Sequence, residues 1–472
     1  MAAILWLAHS ATTAPYIGRF IYNYYFLSLV EGRLSVPAQI AGLEGFYDTE
    51  GRAFLYHGVG PLITRALSWP FVDLAETDLR GPTIWLFAAI GSAAFYATAL
   101  SFLGRVWPPG GGRAIAVLVW VMVWLLSPGL ILTANGAFYH EPLAFAFAMA
   151  GIGMFCLWRL VDSGFTRWRW LIALALAAAL AVHGRPHVAV GLYGATGLCA
   201  VSMIWRMRAQ ALVPASVAMF ILLASGLGYL QMNALRFGGA TEITGTVSDE
   251  ESPTVYGFLY WGWEPPDHPR FKSQESHGDF VAGRILPNLF LYSASMGGDG
   301  SVALYRRMTA DMGHIRIEPP VFGIAMLWLP WMILAFSALF RRSGPRAFLL
   351  LGLVAALPAA LVMLSYTTVT MRYRVELWPV LFTVGLFGLA GLLRSRNDDR
   401  AAIAGLVRSL GVATVAALGI SLFNAYIYHD VLNWDWGRAL WSFDDCAEMV
   451  AEHPGLGPDR VASVCVLETP GS

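Results

Sequence analysis

The sequence predicts an all-α integral membrane protein of about eleven transmembrane helices, with a layer of polar loops on its outer side. Three observations carry that expectation. The 472 residues are 57% hydrophobic and only 13% charged, with a mean hydropathy of +0.57; a soluble domain has about 25% charged residues. Apolar runs of about twenty residues, the length that crosses a bilayer core, recur along the chain. Arginine gathers in alternate short loops, as the positive-inside rule requires of a polytopic chain. The net charge is zero, which argues against a nucleic-acid partner, since such domains carry basic patches.

The elements follow in order. An apolar run at 2–13 is short for a span and lacks the basic flank and small-residue cleavage site of a signal peptide. It reads as the back half of a first span. Residues 15–30 are aromatic and amphipathic, as in a helix lying at the headgroup level. A polar loop, 31–80, comes next. Spans are expected at roughly 83–104, 114–134, 142–160, 170–183, 188–205 and 212–234, then a long polar loop at 236–318. Further spans are expected at roughly 320–340, 347–367, 376–393 and 403–427. Residues 1–427 thus form the transmembrane domain, and 428–472 a small polar tail.

Five basic loops fall on one side, at Arg105–Arg113, Arg159–Arg169, Arg206–Arg208, Arg341–Arg346 and Arg394–Arg400. That side is assigned to the cytoplasm. The other side receives the loop 31–80, the turns at Asn135–Glu141, His183–His187 and Thr368–Glu376, the loop 236–318 and the tail. Cys446 and Cys465 lie in that tail, where an oxidising space is consistent with a disulfide between them. Cys156 and Cys199 fall in apolar runs and read as small hydrophobes.

The outer turns concentrate ionisable residues: His140 and Glu141; His183, Arg185 and His187; Arg372, Arg374 and Glu376. Charge at membrane depth is expensive and marks a site by default. Arginines at span ends also snorkel to headgroups, so Arg372 and Arg374 admit both readings. Glu141-Pro142 fits a helix start. His183 and His187, without a third ligand nearby, are a weak zinc signal. No cofactor is indicated, and a divalent metal is left open.

Guanidinium groups facing a lipid-level groove suit a phosphate or pyrophosphate head. The candidate donor-binding set is Arg33, Arg52, His57, Arg185, Arg372 and Arg374. A carboxylate nearby suits a general base that takes the proton of an acceptor hydroxyl, and the arginines suit charge developing on a leaving phosphate. No Walker or Rossmann glycine loop is present. Tyr256, Trp261 and Trp263 in the long loop offer aromatic faces for a sugar ring or the membrane interface, as an acceptor platform or lid. Residues 279–305 look helical and amphipathic, able to lie over the groove.

Several stretches carry a family resemblance. They are Leu29-Val30-Glu31-Gly32-Arg33-Leu34, Asp48-Thr49, Gly51-Arg52 with Tyr56, and Gly60-Pro61 leading to Trp69-Pro70. Later come Arg236-Phe237-Gly238, Asn288-Leu289-Phe290-Leu291-Tyr292, and Arg372-Tyr373-Arg374-Val375-Glu376 ahead of Trp378-Pro379. In this order they resemble the GT-C polytopic membrane glycosyltransferases, in a bacterial branch distant from the protein O-mannosyltransferases. The resemblance implies an inverting transfer of a sugar from a polyprenyl-phosphate donor to a hydroxyl of a glycan, lipid or protein acceptor. It implies a bacterial cytoplasmic membrane, with the active face periplasmic. It also implies an acid of the first loop as base: Asp48 first, Glu31 second, Glu50 third. The Asp-Glu dipeptide of the O-mannosyltransferases is absent; Asp48-Thr49-Glu50 stands nearest. Asp48 also reads as the head of an Asx-turn.

Two rivals use the same residues. A flippase of a lipid-linked saccharide needs phosphate-binding arginines, but also internal repeats and midplane polar groups, and no repeat is visible. A non-catalytic relative of the enzymes would keep the fold alone.

Overall fold

The structure, a computed structural model, describes residues 20–107, 112–242, 254–260, 267–296, 299–312, 316–318, 322–340, 344–396 and 399–441, with backbone alone at 430–441. Cys446, Cys465, Trp261, Trp263 and the apolar run 2–13 lie outside these residues.

The chain enters as α1 (Ile21–Val30) and turns back through α2 (Leu62–Ser68). The helices that follow are α3 (Arg80–Leu103), α4 (Gly112–Leu125), α5 (Pro128–Thr133), α6 (His140–Asp162), α7 (Trp168–Val182), α8 (Pro186–Met207) and α9 (Leu212–Phe237). In the long loop lie α10 (Pro269–His277), α11 (Ile285–Ala294) and α12 (Asp299–Met308). The chain ends in α13 (Leu329–Phe340), α14 (Arg346–Ser365), α15 (Trp378–Arg394) and α16 (Arg400–Trp441).

Local chemistry sets many of these starts. Ser127 caps α5 by accepting from the Gly129 amide at 3.2 Å, and Pro128 fills the first helical position, where a missing N–H costs nothing. Pro186 opens α8 after extended Arg185. Gly238, at φ +82°, closes α9 in the left-handed conformation that glycine takes without strain.

Among the described residues, seven segments are long and apolar enough to cross a membrane. One of them, Pro186–Phe237, has 52 residues. As one straight helix it would be about 80 Å long, far beyond a core of about 30 Å. It breaks at Arg208–Ala211, where Arg208 takes φ +56°, and so makes two helices. Trp168–Val182 and Leu329–Phe340 are apolar but shorter. A helix occupies each span expected after residue 80, with two adjustments: the segment at 114–134 is α4 plus α5, broken at Ser127-Pro128, and the described part of 320–340 is a four-residue helix, Ile324–Leu327, followed by α13. A total of eleven does not follow from these helices.

α6 is buried along almost its whole length and is the centre of the bundle. α3 packs along one side of it and α7 along another; α8 joins α7 to α14, and α13 lies on α15. Where α13 meets α15, a Cβ at Gly388 would collide with the Leu334 carbonyl. Only glycine permits that approach. Trp328 and Trp331 pack edge-on against Trp378 beside that contact, and Phe382 packs tilted on Trp331.

The outer layer departs from the all-α expectation. Two-residue strands β1 (Ser35–Val36), β2 (Phe46–Tyr47), β3 (Ala53–Phe54) and β4 (Val255–Tyr256) form an antiparallel sheet in the order β1-β3-β2-β4. A second pair, β5 (Arg316–Ile317) and β6 (Thr368–Val369), is parallel. These strands are too short for a period-two pattern to show in sequence. They join the two polar loops into one lid-like layer, since β4 comes from the long loop and β1–β3 from the first. The amphipathic stretch 279–305 is likewise two helices, α11 and the start of α12.

Candidate active site

The first loop is pinned to the bundle. The Gly60 amide donates to the His183 carbonyl at 2.7 Å, and Gly60 leaves no room for a side chain against the Phe145 ring. Deeper in, Arg65 forms a fully buried ion pair with Glu141, donating through both terminal nitrogens. Arg65 also bonds Asn23 Oδ1 at 2.9 Å and Thr83 Oγ1 at 2.9 Å. Asn23 in turn donates to the Leu74 and Thr77 carbonyls, each at 2.7 Å. One buried network thus fixes α1, α2, α3 and the head of α6 together. Glu141 stands in the first turn of α6, as its sequence context suggests, and its carboxylate is also half of this pair.

Three chain segments then meet on the face of the bundle that carries the sheet. The 3₁₀ stretch Met371–Leu377 brings Arg372, Tyr373, Arg374 and Glu376. The α7–α8 turn brings Arg185 and His187. The residues before α6 bring Tyr139. Arg185 and Arg372 both lie over the Tyr373 ring, each guanidinium carbon 5.3 Å from its centroid. Arg372 also covers the Tyr139 ring at 4.7 Å. Glu376 Oε1 accepts from Arg185 Nε at 3.2 Å and lies 3.0 Å from His187 Nε2. Arg374 is fully buried and donates from one terminal nitrogen to the Phe322 carbonyl at 2.6 Å.

Buried polar atoms without a partner mark where a ligand fits. Among the described residues these include Arg185 Nη2, Arg374 Nε and Nη2, Glu376 Oε2, and both ring nitrogens of His57. The two arginines can bind an anion, and Glu376 and His57 can share a proton. His57 packs between the rings of Tyr56, at 3.9 Å, and Phe138, at 4.8 Å. Burial, with the fields of Arg185, Arg372 and Arg236, pushes its imidazole pKa down to about 3. It is therefore neutral, a hydrogen-bonding group and not a counter-charge.

Below this cluster a narrow apolar crevice, with about 20 Å³ of open space, lies between α6, α8 and α14. Phe147, Met154, Leu192, Ala355 and Ala359 line it, and Glu376 stands at its head. Pro358 lies within α14 beside this wall, and the wall's Ala355, Ala356 and Ala359 are small. The opposing Gly191 has its Cα against the Ala355 carbonyl.

The acids singled out from sequence lie apart from one another. Asp48 heads a turn: Oδ1 accepts from the Glu50 amide at 3.0 Å and the Arg52 amide at 2.8 Å, while Oδ2 takes Arg52 Nε at 2.7 Å. Glu50 pairs with Arg52 on the surface, and Glu31 with Arg33, also exposed. So Arg33 and Arg52 engage their own loop, whereas His57, Arg185, Arg372 and Arg374 converge. Tyr256 stacks on Phe46 at 5.0 Å within the sheet.

One acid was not foreseen. Glu44 is buried beneath the sheet; it accepts a short hydrogen bond from the Tyr139 hydroxyl, and the Tyr256 hydroxyl lies 3.5 Å away. Burial, then Glu44, raises the Tyr139 pKa well above the usual phenol value, so Tyr139 stays protonated as a donor. Through that ring Glu44 reaches the Arg372 side of the cluster. Its signal in the sequence was a lone acid inside the apolar run Ile40–Tyr47. Among the described residues, no group of three or more His, Cys, Asp or Glu is placed to hold a metal ion.

No protein-family model matches the chain, and no curated protein matches it. Among solved structures the chain is similar to ArnT from Cupriavidus metallidurans, crystallised with undecaprenyl phosphate. The identity is 13%, over 98% of this chain and 83% of that one, with a TM-score of 0.49.

Proposed function

We propose that this chain is a membrane glycosyltransferase of the GT-C type, moving a sugar from a polyprenyl-phosphate donor to an acceptor hydroxyl. The observation that carries the reading is the pair Arg185 and Arg372, both over Tyr373, at the head of an apolar crevice. A lipid phosphate needs that combination: paired guanidiniums for the head and a dry slot for the chain. Arg374 adds a third buried cation with two unpartnered nitrogens.

In the proposed step the acceptor oxygen attacks the anomeric carbon from the face opposite the phosphate. The sugar–oxygen bond to phosphate breaks, its electrons stay on the phosphate, and configuration inverts. Arg185 and Arg372 stabilise the added negative charge. The acceptor proton passes to a first-loop carboxylate. Glu44 takes first place for that role and Asp48 second, because Asp48 is bound to Arg52 within its own turn, whereas Glu44 bonds Tyr139, whose ring lies against Arg372. His57, neutral and unpartnered, is placed to hydrogen-bond the sugar. The sugar, acceptor and membrane of residence belong to this proposal and not to the fold.

The test is transfer from a radiolabelled polyprenyl-phosphate sugar in membranes carrying the protein. Labelled product that depends on both Glu44 and Arg372 supports the reading. Lipid movement across vesicles with no transfer would place the chain among transporters instead.

A further inference from the structure

At the end of the bundle away from this site, the first turns of α7 and α9 leave an open groove of about 310 Å³ between them. Trp168, Ile172, Val213, Pro214 and Val217 line it, with Gln210 at its rim. The lining is apolar, yet Trp168 and Val213 are exposed, as is Trp205 nearby. Exposed indoles at the end of a span sit at headgroup level.

Along the chain, the residues that adjoin this groove carry positive charge. Arg167 and Arg169 flank Trp168, and Arg206 and Arg208 precede Gln210; all four are exposed. The Arg206 guanidinium comes within 3.9 Å of the space above Gly164, which brings the end of α8 onto the α6–α7 turn. Arg169 rests on the Trp170 ring at 5.7 Å. Among the described residues, Arg167, Arg206 and Arg208 enter no ion pair, and the one acid of that turn, Asp162, is paired with Arg105.

We propose that this groove binds an anionic glycerophospholipid, its phosphate held by Arg167, Arg206 and Arg208 and its upper acyl chains by Val213, Val217 and Ile172. A neutral lipid would cover the apolar wall and leave the guanidiniums unanswered. A soluble anion would do the reverse. An amphiphile with a negative head meets both, as basic clefts between membrane helices do. The groove is independent of the transfer site: it lies at the opposite ends of α7, α8 and α9 from Arg185 and His183.

The full chain in detergent, titrated with phosphatidylglycerol and phosphatidylcholine of matched acyl chains, tests this by native mass spectrometry. Wild-type protein is expected to retain one phosphatidylglycerol preferentially. Arg206→Gln/Arg208→Gln lowers that bound fraction by about fivefold or more, as expected when cations near a lipid phosphate are removed. Val213→Trp, which fills the groove and leaves every charge in place, lowers it as well. Arg113→Gln, exposed at the start of α4, leaves it unchanged. Equal retention of the two lipids overturns the proposal, as does retention unaffected by both groove variants, or an equal loss in Arg113→Gln. Displacement by inorganic phosphate, with Val213→Trp binding as wild type, also overturns it and leaves a plain anion site.

Discussion

Arg185 and Arg372 come from turns nearly two hundred residues apart, yet both place a guanidinium over the ring of Tyr373 at 5.3 Å. Two like charges brought this close repel each other unless anions lie between or beside them. Glu376 answers Arg185, and Glu318, bonded to the Met371 amide at 2.9 Å, lies on the Arg372 side. The unpartnered nitrogens of Arg185 and Arg374 remain. An incoming phosphate completes this set.

Removing one of these cations should therefore weaken the transition state more than the fold. Arg372→Gln is expected to reduce sugar transfer by about 10²-fold or more, the scale of losing one donor to a developing oxyanion. Arg372→Lys should recover little of it, because an ammonium cannot reproduce the planar contact with Tyr373 and Tyr139. Steady-state transfer with a labelled lipid donor reads both variants.

The first-loop acids separate by the same assay. Glu44→Gln keeps an acceptor for the Tyr139 hydroxyl but removes the base, and a fall of about 10²–10⁴-fold is expected. Asp48→Asn keeps the Oδ1 acceptor for the two turn amides, and the ion pair it loses is with an exposed arginine, which contributes little. Transfer in Asp48→Asn is expected to stay near wild type. The opposite ranking would return the base role to Asp48.

The Arg65–Glu141 pair is buried on both sides, so its halves are expected to be strongly coupled. Arg65→Met alone strands a carboxylate in the interior and should cost about 3–5 kcal/mol. Arg65→Met/Glu141→Leu should restore a large part of that, because an apolar pair of similar size removes the stranded charge. Denaturation of the single and double variants in detergent reports the coupling.

His57 gives a pH dependence with a definite sign. Its pKa is depressed in the folded protein, to about 3 from 6.5, so the folded state binds fewer protons. Its full contribution is present above the unfolded value of 6.5. As the pH falls toward 3, stability should drop by about 1.4 kcal/mol per unit once the unfolded imidazole is protonated. His57→Gln lacks this loss. Thermal unfolding of the two proteins should diverge below about pH 6, with the variant falling less steeply.

Much of this architecture is legible in the chain because membrane spans advertise themselves by length. α6, expected at 142–160, runs from His140 to Asp162, and α9, expected at 212–234, runs from Leu212 to Phe237. Arg185, Arg372 and Arg374 were also visible, as charges at span ends where charge is costly. The outer sheet was not, because its two-residue strands depend on pairing Phe46 with Tyr256 across more than two hundred residues, which no local periodicity encodes. That pairing is what buries Glu44, so the acid looked like an ordinary loop residue. Asp48 was singled out through the family resemblance, with an Asx-turn as the other reading, and its side chain forms that turn. Arg65 was hidden in the same way: only its distant partner Glu141 marks it as structural.

The most direct measurement is the position of the phosphate in a structure of the protein determined with a polyprenyl phosphate. The phosphate is expected within hydrogen-bonding reach of Arg185 Nη2 and the Arg372 guanidinium, with the prenyl chain entering between α6, α8 and α14. A polyprenyl phosphate bound away from Tyr373, with Arg185 and Arg372 still facing only Glu376 and Glu318, would contradict the assignment of this cluster as the donor site.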